Sequence, residues 1–70
     1  MTAADAMEFT KMKYLHDTNA RCAGKTRSLQ WAIRRLDRLL REFGDTWNKA
    51  GQIAVYEELI TYKEMLDEQR

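Results

Sequence analysis

The sequence predicts an all-α protein, a helical hairpin with an additional N-terminal helix that assembles as a dimeric helical bundle. The 70-residue chain has no proline and only three glycines, so few positions interrupt a helix. Apolar residues recur at spacings of about three and four, the periodicity of amphipathic helices. We expect one domain, 1–70, with helices at about 2–22, 28–43, and from 46 or 52 to 68.

The second helix has the strongest pattern in the chain. Ser28 or Thr26 can cap its N-terminus, and Gly44 is suited to end it. Ala32 and Leu39 widen an apolar seam whose spacing is typical of a packing surface between helices. That seam consists of Leu29, Ile33, Leu36, Leu40 and Phe43.

The third helix repeats this spacing, and Ile53, Tyr56 and Ile60 are expected to widen its seam on one side. Trp47 falls off the seam, which leaves two alternatives open. Either segment 44–51 is an irregular connection with Trp47 folded inward, or Trp47 is exposed for binding. The seam itself consists of Val55, Leu59, Tyr62 and Leu66.

The first helix has a thinner pattern. Thr2 is a suitable N-cap and Gly24 a suitable C-terminal stop. Met7 and Tyr14 are expected to lie off its apolar stripe, so this helix is expected to pack across the hairpin or to exchange with a partner chain. The stripe consists of Phe9, Met12, Leu15, Cys22 and Ala23.

The small size of the chain favours self-association. A domain of this length has only a marginal core and usually needs a disulfide, a metal or a second subunit. Cys22 is the only cysteine and His16 the only histidine, so neither an internal disulfide nor a metal site is expected. We therefore expect a homodimer, whose core draws on Leu29, Ile33, Leu36, Leu40, Val55, Leu59, Tyr62 and Leu66.

Charge is distributed unevenly between the second and third helices. Residues 25–43 carry six cations and two anions, whereas residues 45–69 carry two cations and six anions. On a helical wheel, the arginines fall opposite the apolar seam of the second helix. Glu57, Glu64 and Glu68 share one face of the third helix. The chain is therefore bipolar, although its net charge is only +1.

Three interpretations of these charges stay open. The two helices can simply pair side by side, each exposed ion pair contributing about 0–1 kcal/mol. Alternatively, a charged face recognises another protein, since Arg and Trp are frequent interface anchors. In the third interpretation, the arginine face contacts nucleic-acid phosphates and Trp31 stacks on an unpaired base. The candidate partner-binding residues are Arg27, Trp31, Arg34, Arg38, Arg41, Glu57, Glu64 and Glu68.

Composition argues against catalysis, cofactor binding and membrane insertion. The sequence contains no glycine-rich phosphate loop, nucleophile motif or metal-ligand spacing, so no catalytic residue and no cofactor are expected. No apolar run approaches the roughly 20 residues of a membrane span. The N-terminal segment MTAADAMEF lacks the apolar centre of a secretion signal. We therefore expect a cytoplasmic, non-enzymatic binding protein.

The chain resembles the small helical regulatory proteins of bacteriophages, which bind a host protein and switch it off. The resemblance is in size and in the charge-split helices RSLQWAIRRLDRLLREFG and AVYEELITYKEMLDEQ. Within that group, the chain looks like the dimeric anti-activators of a quorum-sensing transcription regulator. The resemblance implies an inhibitor in the host cytoplasm that acts by surface contact and blocks the regulator's activity or its DNA binding.

Overall fold

The protein is a helical hairpin against which the N-terminal helix packs. The structure, a computed structural model, describes residues 1–20 and 25–69, without the side chains of 18–20 and 25. The α-helices are α1 at Ala3–Ala20, α2 at Lys25–Phe43 and α3 at Lys49–Glu68, and a 3-10 turn occupies Gly44–Thr46. None of the described residues is in a strand, and the predicted all-α fold is confirmed.

Contacts between the helix ends show how the three helices run. The side-chain Nε2 of Gln52, at the start of α3, donates a hydrogen bond of 2.6 Å to the carbonyl of Gly44, just after α2. At the other end of the hairpin, Leu66 of α3 and Ile33 of α2 line one cleft. Helices α2 and α3 are therefore antiparallel, as the short connection between them predicts.

The two predicted seams build the core of a single chain. Ile33, Leu40 and Leu66 are half-buried and pack against a fully enclosed centre. Since the seams face one another within one chain, the most buried of the eight residues predicted for a dimer core are already covered. The buried seam residues are Leu29, Leu36, Val55, Leu59 and Tyr62, joined by Ala32 and Leu39.

The predicted apolar stripe of α1 is wrong. Phe9, Met12 and Leu15 are each about half exposed or more, and the helix instead buries its opposite side. Tyr14, which was expected to lie off the stripe, belongs to the core, and Met7 packs against it. The predicted stripe positions Cys22 and Ala23, and the predicted stop at Gly24, lie outside the described residues. The buried face consists of Ala3, Ala6, Thr10 and Tyr14.

Small residues face inward on α1 because the helix approaches α3 closely. A Cβ atom at Gly51 would lie 3.0 Å from the Cβ of Ala3 and 3.1 Å from Oδ1 of Asn48, closer than ordinary packing allows. Farther along, the hydroxyl of Thr10 is satisfied by the carbonyl of Ala6 at 2.7 Å, so its burial leaves no unpaired donor. Larger inward side chains would push the helices apart.

Trp47 is folded inward, which decides between the two sequence-based alternatives. Its side chain is 7% exposed, and the indole Nε1 donates a hydrogen bond of 2.9 Å to the carbonyl of Met1. The segment before α3 is an irregular connection, as that alternative requires. Trp47 thus joins the start of α1 to the start of α3, so these two helices are parallel.

The helix starts confirm one predicted cap and correct another. The hydroxyl of Thr2 accepts a hydrogen bond from the Asp5 amide at 3.1 Å, so Thr2 caps α1 as predicted. In contrast, α2 already includes Lys25, and Ser28 is buried inside it rather than capping it. The α2 backbone is helical on both sides of Ser28, so this residue cannot be the N-cap.

A third cap defines the start of α3. The side-chain oxygen of Asn48 accepts a hydrogen bond of 2.7 Å from the amide of Gly51. This cap places the helix start at Lys49, between the two starting points that the sequence allowed.

The sequence-based prediction is wrong about the position of Ile53, Tyr56 and Ile60 on α3. These side chains point to solvent rather than widening the core seam.

A pair of buried tyrosines connects α1 to α3. The rings of Tyr14 and Tyr62 meet edge to face, with centroids 5.4 Å apart. The Tyr62 hydroxyl is buried and makes no hydrogen bond to a described residue. Burial raises the pKa of the Tyr62 hydroxyl well above its ordinary value, and the charge of Glu58 raises it further.

We expect Asn48→Ala to lower the free energy of unfolding by about 1 kcal/mol, because it removes the side-chain acceptor for the Gly51 amide. Asn48→Asp is the matched control, since its carboxylate retains an acceptor and suits the positive end of the helix dipole. Urea denaturation monitored by circular dichroism measures both. Equal losses in the two variants would contradict the capping role.

We expect Tyr62→Phe to leave the free energy of unfolding at pH 7 unchanged or raised by up to about 1 kcal/mol, because the buried hydroxyl is unpaired. Because the pKa of Tyr62 is raised in the folded state, its titration leaves the free energy of unfolding of the wild type unchanged below about pH 10. As the pH rises further, that free energy falls, since unfolded tyrosine loses its proton while the folded hydroxyl keeps its own. Urea denaturation between pH 8 and pH 11, as approximate limits, should therefore show the variant gaining relative to the wild type. A loss above about 1 kcal/mol at pH 7 would instead indicate a hydrogen bond to Glu58.

Candidate interaction surface of helices α1 and α2

Two aromatic side chains and two cations are interleaved where α1 and α2 face each other. On α1 they are Phe9 and Lys13, and on α2 they are Trp31 and Arg35; each pair is one helical turn apart. Each cation contacts the aromatic ring on the other helix. The Arg35 guanidinium carbon lies 4.6 Å from the centre of the Phe9 ring, and Lys13 Nζ lies 5.5 Å from a Trp31 ring centre. We call these four residues the cation–π cluster.

Arg35 lies at the centre of this cluster. Its guanidinium carbon is also 5.9 Å from a Trp31 ring centre, so it contacts both aromatic side chains. Its Nε is buried and has no hydrogen-bond partner among the described residues. A buried unpaired donor costs about 1–3 kcal/mol, and a desolvated cation–π contact returns a similar amount. No carboxylate among the described residues pairs with Arg35, and the two aromatic rings are the contacts that its guanidinium makes.

A shallow cleft opens to solvent beside the cluster. It has a volume of about 180 Å³ and is lined by Trp31, Arg34, Arg35 and Arg38. Three guanidinium groups therefore border one concavity next to an indole. Phe9 is 51% exposed at the edge of the same cluster and begins an exposed apolar row on α1, continued by Met12 and Leu15.

The arginines of α2 differ in how far they are neutralised. Arg41 pairs with Asp37 at 3.1 Å, and Arg38 lies 3.7 Å from Glu42. Both pairs are exposed and stand one turn apart on the same helix, so each contributes little to stability. Arg34 makes only a long hydrogen bond, 3.4 Å, from Nε to a backbone carbonyl.

Only some residues of the predicted arginine face line the cleft. Trp31, Arg34 and Arg38 line it, whereas Arg27 and Arg41 are exposed on α2 outside its lining. Glu57, Glu64 and Glu68 are exposed on α3, also as expected. The interpretation that α2 and α3 pair through their opposite charges is not supported, because every ion pair among the described residues lies within one helix.

Sequence reasoning missed three members of this surface, namely Phe9, Lys13 and Arg35. Arg35 was counted as a cation but not placed on the binding face, and Phe9 was assigned to the core. The available signal was the spacing, since an aromatic residue and a cation stand four positions apart on both helices. That signal identifies the pairs only when the two helices are known to be antiparallel neighbours.

The described residues contain neither a metal-ligand cluster nor a membrane-spanning helix. No three or more His, Cys, Asp or Glu side chains among them lie close enough to hold a metal ion together. None of the helices, as far as they are described, combines the length and apolar character needed to cross a lipid bilayer.

Comparisons with protein-family models, with curated proteins and with solved structures find no match to this chain.

Proposed function

We propose that the protein is a non-enzymatic regulator that binds a carboxylate-bearing surface of another protein through the cation–π cluster and the adjoining cleft. The observation that carries this proposal is the cleft itself, in which Arg34 and Arg35 lie beside the Trp31 indole. Neither arginine pairs with a carboxylate among the described residues. Arginine and tryptophan are the side chains most enriched at the energetic centres of protein interfaces. Arginine forks also match carboxylates in geometry.

The cluster favours a protein partner over nucleic acid. Base stacking needs an accessible aromatic face, but Trp31 is half-buried and already lies beneath Lys13 and Arg35. Two of the arginines, Arg38 and Arg41, are partly neutralised by carboxylates on their own helix. An acidic protein surface with apolar side chains would suit both the guanidinium groups and the exposed ring of Phe9.

The finer form of the proposal follows the resemblance to phage regulatory proteins. In that form, the partner is a host transcription regulator in the bacterial cytoplasm, such as a quorum-sensing activator, and binding blocks its activity or its contact with DNA. Charge complementarity would then supply selectivity and a fast encounter. Nucleic-acid binding by the arginine face is the alternative function.

We expect Arg34→Glu to abolish capture of the partner without unfolding the protein, because Arg34 is exposed and makes only one long hydrogen bond. Lys11→Glu on the exposed side of α1 is the matched control, since it changes the net charge equally. Affinity capture from a bacterial lysate, followed by calorimetry with the purified captured protein, should show at least a tenfold loss, about 1.4 kcal/mol, for Arg34→Glu alone. Circular dichroism melts of both variants check that the fold is retained.

If instead Arg34→Glu binds normally and Glu57→Lys does not, the acidic face of α3 is the working surface and the cleft is not. Equal losses in Arg34→Glu and Lys11→Glu would indicate attraction through net charge alone.

We expect no measurable binding to random duplex DNA at about 0.15 M salt, and only weak binding at low salt, because the cations on α2 are few and partly neutralised. Fluorescence anisotropy with a labelled duplex across a salt series measures this directly. Micromolar affinity with a steep linear fall of log K against log salt would favour the nucleic-acid alternative.

A further inference from the structure

The outer face of α3 has an apolar row that none of the described residues covers. Ile53, Tyr56 and Ile60 are 48%, 55% and 52% exposed, although side chains of this size are normally buried. They are separated by three and then four residues, and the same alternating spacing continues to exposed charged residues at both ends of the helix, one at the N-terminal end and two at the C-terminal end. We call the whole row the outer seam; it consists of Lys49, Ile53, Tyr56, Ile60, Lys63 and Asp67.

The charges at the ends of the outer seam oppose the dipole of their own helix. Lys49 stands at the first position of α3, where an anion would be favourable, and Asp67 stands in the last turn, where a cation would be. Neither residue makes an ion pair with a described residue. Within the monomer, both charges therefore destabilise the helix, and no ion pair with a described residue compensates for this.

We propose that the outer seam binds the outer seam of a second copy of this chain, with the two α3 helices antiparallel. In an antiparallel pair with twofold symmetry, the first layer of one seam meets the last layer of the other. Lys49 then faces Asp67 of the second copy at both ends of the contact. The misplaced charges thus become two symmetric ion pairs.

The inner layers fit the same register. Tyr56 packs against Ile60 of the second copy, and by symmetry the reverse contact also forms. Ile53 lies along the aliphatic stem of Lys63 of the second copy, whose ammonium group can still reach water. The three kinds of contact each occur twice by symmetry, which gives six layers, and none of these layers brings like charges together.

A parallel pair does not fit. It would set Lys49, Lys63 and Asp67 each against its own counterpart, so every charged layer would be repulsive. Antiparallel pairing has one visible cost, since Glu57 lies on the flank of the seam near the symmetry axis and approaches Glu57 of the second copy. Both carboxylates are exposed to water there, where such repulsion is strongly screened.

This contact does not use the residues first expected in a dimer. Those residues are packed within one chain, whereas all six positions of the outer seam are exposed. Only three apolar side chains per copy enter the contact, so the interface is at the small end of the range for specific association. We expect dimerisation in about the micromolar range.

Sedimentation equilibrium from about 5 to about 500 μM, a range chosen to span micromolar affinities, tests the proposal. We expect a monomer–dimer equilibrium, weakened at least tenfold by Ile60→Gln. Met12→Gln on α1 is the control, because Met12 is also a large apolar residue and is 64% exposed but lies outside the outer seam. A wild-type protein that stays monomeric at the highest concentration, or a dimer indifferent to Ile60→Gln, overturns the proposal.

A charge exchange tests the antiparallel register. Lys49→Glu and Asp67→Lys should each weaken the dimer about tenfold, because each creates two like-charge contacts. Combining them restores opposite charges and should restore dimerisation. Both substitutions also agree with the helix dipole, so thermal unfolding of the variants at low concentration should occur at the same or a higher temperature. Loss of the dimer in a single variant then reflects the contact and not the fold.

Failure of the double variant to recover the dimer, or no effect of either single change, overturns the antiparallel arrangement. Neither result bears on the cleft between α1 and α2, which shares no residue with the outer seam.

Discussion

The close approach of α1 to the hairpin is the constraint on which the other features depend. At its N-terminal end, Ala3 meets Gly51 without room for a further carbon atom, and Trp47 fixes the start of the chain by a hydrogen bond to Met1. Only a small side chain fits at this contact, and Ala3, Ala6 and Thr10 are fully or almost fully buried along the same face, followed by Tyr14. The large apolar residues of α1 are left outside as a consequence, and one of them, Phe9, becomes part of the interaction surface.

The seams of α2 and α3 could be predicted from sequence because their large branched residues recur with helical spacing and face one another. The inward side of α1 could not, since Leu15 is larger and more hydrophobic than the alanines and Thr10 that are actually buried. Burial there is decided by the distance between helices, which is a tertiary quantity. The error on α3 has a different reason, because Ile53 and Ile60 have the right chemistry for a core but lie outside the helix face on which Val55, Leu59 and Tyr62 are buried.

The candidate surface was half predictable for a related reason. Its α2 members, Trp31, Arg34 and Arg38, follow from a helical wheel, because they lie on the side of α2 opposite its apolar seam. Phe9 and Lys13 depend on how α1 is rotated about its own axis. That rotation is set by the small residues at its buried face, which the hydrophobic pattern does not identify. Arg35 belongs to the surface only because Phe9 is there to contact its guanidinium group.

The two proposed surfaces differ in what each needs from the fold. The outer seam is carried by α3 alone, so its geometry follows from one helix and survives small shifts between helices. The cleft needs α1 and α2 in register, because each supplies the cation that covers the other's aromatic ring. A twofold pair formed through α3 would therefore present two clefts, each with its geometry unchanged. A partner that is itself twofold symmetric could engage both clefts at once, and the second contact would then form at high effective concentration. Two weak surfaces on a very small protein can in this way give a tight and selective complex.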